Sequence, residues 1–140
     1  MEALSPRPKL ISFRATSFSG ENKAASSGNE PWIIELKQTI EIGLATLKGP
    51  SAPLQAVVVI DLQAKASKAE GLSQAAIFSA SYEAKFVYPA GTQDASVSLV
   101  FDQEPYQYML IAQAFPLAMT HFRRELQSMG FDARELPLGL

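Results

Sequence analysis

Apolar and polar residues alternate through the first two thirds of this chain and recur every three or four positions in the last third. Alternation gives a strand two unlike faces, whereas a three-to-four spacing gives a helix one apolar stripe. Lys9–Ser19 alternates in part, with Ile11, Phe13 and Ala15 set against Ser12, Arg14 and Thr16, and predicts a first strand. Trp32–Leu47 carries the cleanest pattern. Ile34, Leu36, Ile40, Ile42 and Leu44 face one way, and Glu35, Lys37, Thr39 and Glu41 face the other. One buried and one wet face predict an antiparallel sheet covered on one side. Leu54–Ala66 contains the β-branched run Val57-Val58-Val59-Ile60, which favours an internal strand. In Ala75–Tyr88, Phe78, Ala80, Tyr82, Ala84, Phe86 and Tyr88 oppose Ile77, Ser79, Ser81, Glu83, Lys85 and Val87. The polar stretch Gly20–Glu30, the turn Lys48-Gly49-Pro50-Ser51 and the loop Lys65–Ser73 separate these strands. Pro89-Ala90-Gly91 ends the last of them, and Val97–Phe101 reads as a short extra strand or an ordered loop.

A helical pattern begins at Glu104-Pro105-Tyr106, with Asp102 placed to cap it and Glu104 and Pro105 suited to a first turn. Pro116 removes one backbone donor and predicts a division of the helix into two segments at Phe115. Phe115, Met119, Phe122, Leu126 and Met129 then form one apolar stripe. Gly130 suits the position just past the helix end, with Phe131 packing back. Strands first and helix last predict an α+β fold: a four-stranded antiparallel, Greek-key-like sheet followed by a proline-interrupted helix packed on one face. Residues 1–8, with two prolines and no periodicity, predict a flexible N-terminal arm, and residues 9–140 one domain.

Composition narrows the class of partner. Of 140 residues, 47% are hydrophobic and only 19% charged, against about 25% charged in an average globular chain. That balance suits a protein with surface committed to an oligomer or to binding. A net charge of -2 supplies no basic field for a phosphate backbone, which argues against nucleic acid. Cysteine is absent, so disulfide and thiolate chemistry are excluded, in keeping with a reducing cytoplasm. The N-terminus has no apolar signal core, and apolar runs such as Ala56–Ile60 fall far short of the roughly 20 residues of a membrane span.

The chemistry-bearing residues do not converge. His121 is the only histidine, and a histidine metal site needs companions at ligand spacing. Asp61, Glu70, Glu83, Asp94 and Asp102 are scattered, and no phosphate loop or nucleophile elbow is present. His121 has Glu125 one turn on, a local pair on a helix rather than an oriented catalytic dyad. The sequence therefore predicts no catalytic residue, no metal and no cofactor.

The order of elements resembles the SecB family of export chaperones. Ala76-Ile77-Phe78-Ser79 through Phe86-Val87 is similar to the last strand of that family's sheet. Gln113-Ala114-Phe115-Pro116-Leu117-Ala118 resembles its Phe-Pro-Tyr-Ala helix start, and Glu135-Leu136-Pro137-Leu138 its apolar Leu-x-Leu segment. Pro31-Trp32 stands about where the family has a Trp and a Pro before the second strand. Two departures are plain: Leu117 replaces an aromatic, and Met119-Thr120 replaces the usual Arg-Glu. The family's second helix and acidic, metal-binding tail, which contacts the export motor ATPase, have no counterpart after Leu140. The resemblance implies a cytoplasmic, ATP-independent chaperone that assembles as a homo-oligomer, a dimer or tetramer. It would hold unfolded or pre-export polypeptides in apolar grooves. Trp32, Phe78, Tyr82, Phe86, Leu136 and Leu138 are the client-binding candidates it points to. For Phe78, Tyr82 and Phe86 the stronger reading is core under the helix, because aromatic alternation is usually packing, while Trp32 reads equally as a client contact or a local anchor. Two other readings stand beside this one: an interaction protein with one dedicated client, such as an antitoxin or secreted partner, and a small-molecule binder with an apolar cavity between sheet and helix.

Overall fold

The computed structural model describes residues 7–23, 32–46, 53–68, 74–134 and 136. Four strands come first: β1 (Lys9–Asn22), β2 (Trp32–Thr46), β3 (Leu54–Lys68) and β4 (Gln74–Val87). Two helices follow, α1 (Asp94–Phe101) and α2 (Glu104–Ser128). The sheet is antiparallel with order β1-β4-β3-β2. Consecutive strands β2, β3 and β4 form a meander, and β1 lies beside β4 rather than beside its chain neighbour. That is the Greek-key arrangement the strand pattern predicted.

One face of the sheet is apolar because register carries the alternation from strand to strand. Val58 stands opposite Ala84, Ile60 opposite Tyr82 and Ala64 opposite Phe78. On β3 and β4, Val58, Ile60, Leu62, Phe78, Tyr82 and Phe86 are all buried. Helix α2 lies over β3, β4 and β1 and contributes Phe115, Met119, Phe122 and Leu126 to this core, so the predicted stripe does pack on the sheet. The opposite face is mixed: Ile33 and Ile77 are exposed on it, and it carries the Arg14–Glu83 ion pair at 3.1 Å and a Ser81 hydroxyl donating to Asp61.

Strand β1 departs from its predicted alternation. Its pairing with β4 shifts between Leu10 and Ser12 and again between Ala15 and Ser17. Each shift inserts a residue and reverses which parity faces the core. Ile11, predicted to face inward, falls in the first shift and is 54% exposed. Phe13 keeps its inward place and stacks on Tyr82, with ring centroids 5.7 Å apart. After the second shift Phe18 joins the same side, opposite Ala80.

Three further expectations change in the helical part. Val97–Phe101 is neither strand nor loop but the second half of α1. Val97 and Phe101, four apart, are its buried residues, and Ser98 donates to Asp94 one turn back at 2.7 Å. Asp102 ends α1 instead of capping α2, whose N-cap is Gln103; the Gln103 carbonyl accepts from Tyr106 and Gln107. Pro116 interrupts the hydrogen-bond ladder without dividing the helix: α2 is continuous from Glu104 to Ser128. The carbonyl deprived of a donor belongs to Ala112, which is exposed, so water can satisfy it. The C-terminus follows expectation. Gly130 takes φ 96°, and amides of Gly130 and Phe131 donate to carbonyls of Gln127 and Leu126, closing a Schellman motif. Phe131 then packs edge-on against Phe78 at 5.6 Å.

Candidate functional site

Strand β2 gives the sheet an apolar margin that α2 does not fully cover. Its even-numbered residues continue the core face by register: Ile34 opposite Ala66, Leu36 opposite Ala64, Ile40 opposite Ile60, Ile42 opposite Val58 and Leu44 opposite Ala56. The β3 partners are 0–1% exposed, but the β2 side chains themselves are only half-buried and pack against the rim of the core. The cause is topological. β2 is the sheet's outer strand beyond β3, and α2 crosses β3, β4 and β1. Gln38 interrupts the stripe on the same face, opposite Leu62, and is exposed. The result is a ribbon of apolar side chains with an amide at its middle, beside a strand edge with no neighbour among the described residues.

The candidate residues separate into distinct places. Phe78, Tyr82 and Phe86 are 1%, 0% and 0% exposed, in the core between sheet and helix. They lie on the same face as the β2 ribbon, with β3 between, and are fully covered. Trp32 opens β2 opposite Lys68; its side chain lies outside the described structure. Leu136 is half-buried against the core, its amide donating to the Ala133 carbonyl at 3.1 Å. Leu138 lies outside the described residues. The structure thus groups the three rings on β4 with one another and leaves Trp32 and Leu136 on other elements. The ribbon residues Ile34, Leu36, Ile40, Ile42 and Leu44 were legible as an apolar face but not as a partly open one. A glutamine in the middle of that face was the available signal, because a fully buried position rarely holds an unpaired amide.

The polar groups near the core form two small networks. Tyr82 reaches His121 Nδ1 at 2.8 Å, and His121 Nε2 faces Glu125 at 3.5 Å, so the local pair expected from sequence is present and tied to the sheet. Burial, with the Glu125 charge adding to it, pushes the Tyr82 phenol well above its ordinary range. The hydroxyl therefore keeps its proton and stays within hydrogen-bond reach of the imidazole. Phe18 and Tyr82 both present rings to the imidazole, at 6.4 and 5.5 Å. The second network joins Tyr88 and Tyr106, hydroxyl to hydroxyl at 2.6 Å, and burial raises both phenols. Each links the helical layer to the end or centre of β4. Among the described residues no group of three or more His, Asp or Glu is placed to hold a metal. A shallow groove of about 510 Å³ runs along the first turns of α2, lined by Glu104, Pro105, Gln107, Tyr108 and Ile111. It lies on the helix surface and not between sheet and helix, where the small-molecule alternative would place its cavity. Among the described residues no helix is long and apolar enough to cross a membrane.

The sequence matches no protein-family model and no curated protein. The fold does have a solved counterpart: a SecB-like chaperone from Mycobacterium tuberculosis, in complex with a ChAD peptide from the HigA1 antitoxin. The two are similar with a TM-score of 0.65 and 13% sequence identity, covering 96% of this chain and 89% of that one. The chain has the SecB-like fold.

Proposed function

We propose that this protein holds extended segments of unfolded polypeptides, without ATP, against the half-covered apolar face of β2. The observation that carries this reading is the ribbon Ile34, Leu36, Ile40, Ile42 and Leu44, half-exposed at the margin of a sheet in the SecB-like fold. Apolar side chains in contact with water at a strand edge suit a chain that offers alternate side chains and backbone bonds. Trp32 opens the same strand, and Leu136 is a second apolar candidate, half-buried beside the core. Phe78, Tyr82 and Phe86 belong to the covered core on the same face, one strand further in.

The client is a dedicated partner or a range of unfolded and pre-export chains. The solved counterpart carries a peptide from one antitoxin, which favours a dedicated client. On this reading the protein acts in the cytoplasm as a homo-oligomer. Two measurements test it. Suppression of aggregation of several unrelated unfolded proteins at near-stoichiometric ratio is expected of a general holdase. A single dominant protein recovered with the native chaperone is expected of a dedicated one. A protein that does neither is not a chaperone of either kind. Trp32→Ala is expected to weaken client binding with cooperative melting retained; loss of cooperative melting would make Trp32 a structural anchor.

A further inference from the structure

Strand β2 differs from the other edge of the sheet in a way that concerns what it can accept. Edge strands expose unpaired amides and carbonyls, and bulges, prolines or very short lengths normally blunt them. β1 carries two register shifts. β2 pairs with β3 over 15 residues, from Trp32 opposite Lys68 to Thr46 opposite Leu54, without one, and it contains no proline. Its far side has no strand among the described residues.

The outer face of β2 also carries charges that β3 leaves unmatched. Glu35 stands opposite Lys65, but Lys37 stands opposite Gln63 and Glu41 opposite Val59. Both Lys37 and Glu41 are exposed. Opposite charges directly across an antiparallel pair attract and like charges repel, so these two positions favour a neighbour of defined charge order on the free side.

We infer that the free edge of β2 takes an extended client strand and reads its charge order through Lys37 and Glu41. This deepens the chaperone reading and rests on it. In an antiparallel client, a basic residue sits across from Glu41 and an acidic one, four positions later, across from Lys37. Apolar residues meet Leu44, Ile42, Ile40, Leu36 and Ile34 on the inner face, and a polar residue meets Gln38. A second copy of β2 is the competing occupant, because antiparallel pairing about Thr39 would set Lys37 against Glu41 twice. That register also places each Gln38 amide across from an apolar Ile40, a mismatch that a client with a polar residue there avoids.

The probe is the labelled peptide Val-Thr-Val-Lys-Val-Thr-Asn-Glu-Val-Thr-Val, compared with the same peptide after exchange of Lys and Glu. Composition and net charge are identical, so only charge order differs. Fluorescence anisotropy at low salt is expected to give about tenfold tighter binding of the first peptide. The preference should shrink as salt screens the pairs. The double variant Lys37→Glu/Glu41→Lys keeps the net charge and should prefer the exchanged peptide. Equal affinities, or a preference the double variant does not reverse, would overturn the inference. So would a native dimer dispersed by Lys37→Glu alone, since that result gives the edge to a second copy. If the protein and its double variant both hold an unfolded polypeptide yet neither discriminates the peptides, this inference fails and the chaperone reading stands. If no polypeptide is held, both fail.

Discussion

The hydroxyl pair of Tyr88 and Tyr106 joins the end of the sheet to the first turn of α2. Tyr88 is 1% exposed, so removing its partner leaves a buried hydroxyl without this bond. Tyr106→Phe is expected to cost about 1–3 kcal/mol in denaturant unfolding. Adding Tyr88→Phe should recover part of that loss, because two apolar rings leave no orphan. A double variant as unstable as the sum of the singles would show the bond to be incidental. Gly20 makes a different point. A Cβ there would lie 2.9 Å from both Met129 Sδ and the Phe78 ring, where β1 approaches the end of α2. Next to it, the Asn22 side chain donates to the Met129 carbonyl at 2.7 Å. Gly20→Ala is expected to destabilise by about 1–3 kcal/mol through overpacking, whereas Gly43→Ala, with nothing within 4 Å, should be neutral or mildly stabilising. At the exposed turn after α2, hydrogen bonds from Arg134 hold the Asp132 carboxyl down at about 2. A carboxyl lowered on folding stabilises above its unfolded value and loses that contribution as pH falls through the folded one. Arg134→Ala should move the Asp132 titration, followed by NMR, up toward the ordinary carboxylate range. It should also flatten the part of the acid stability profile below about pH 4 that belongs to this group.

At the scale of elements, α2 is governed by how its buried line travels. Tyr106, Leu110, Ala114, Ala118, Phe122 and Leu126 are all buried and spaced by four. Four residues advance an α-helix by about 40° beyond one turn, so this line winds through roughly 200° from first to last. The first turns therefore face Phe101 and Tyr88, and the later ones face the sheet. Pro116 sits within that passage with its missing bond directed at exposed Ala112. Pro116→Ala should raise stability by about 1 kcal/mol; a fall of similar size would show that the break sets the helix path. These elements also show what was readable beforehand. β4 was legible because its alternation is unbroken and both of its neighbours in the sheet are present. β1 was legible as a strand but not in which residues it turns inward, because its register shifts are events of pairing with β4 and change the parity of Ile11 and Phe18 without marking the local sequence. α1 was missed because Val97 and Phe101 fit one turn of helix as well as alternate places on a strand, and only packing beside α2 decides between them. The ribbon on β2 was read as a covered face because strand order, which puts it at the margin, is not a property of any one strand. The rings of Phe78, Tyr82 and Phe86 were legible as a group, and their placement under α2 follows from the Greek-key order that centres β4 and β3.

For the whole molecule, stability and proposed function draw on different parts of one apolar face. The centre of that face is covered by α2, and its margin on β2 is left half-open. Substitutions in the two regions should therefore separate folding from binding. Leu36→Thr and Ile42→Thr keep strand-forming residues and remove half-buried apolar surface, at a cost of about 1 kcal/mol each and a few degrees in Tm. Together they should weaken capture of an unfolded polypeptide at least tenfold while melting stays cooperative. Phe122→Ala, in the covered centre at 0% exposure, should instead cost about 3–5 kcal/mol, with any loss of binding following loss of the fold. Calorimetry and aggregation suppression measured on the same preparations distinguish the outcomes. If the β2 double variant holds unfolded chains as well as the parent does, the margin is not the client surface. The exposed Leu99, Tyr108 and Leu117 on the helical side would then be the next apolar surface to test, because they lie off both the ribbon and the core.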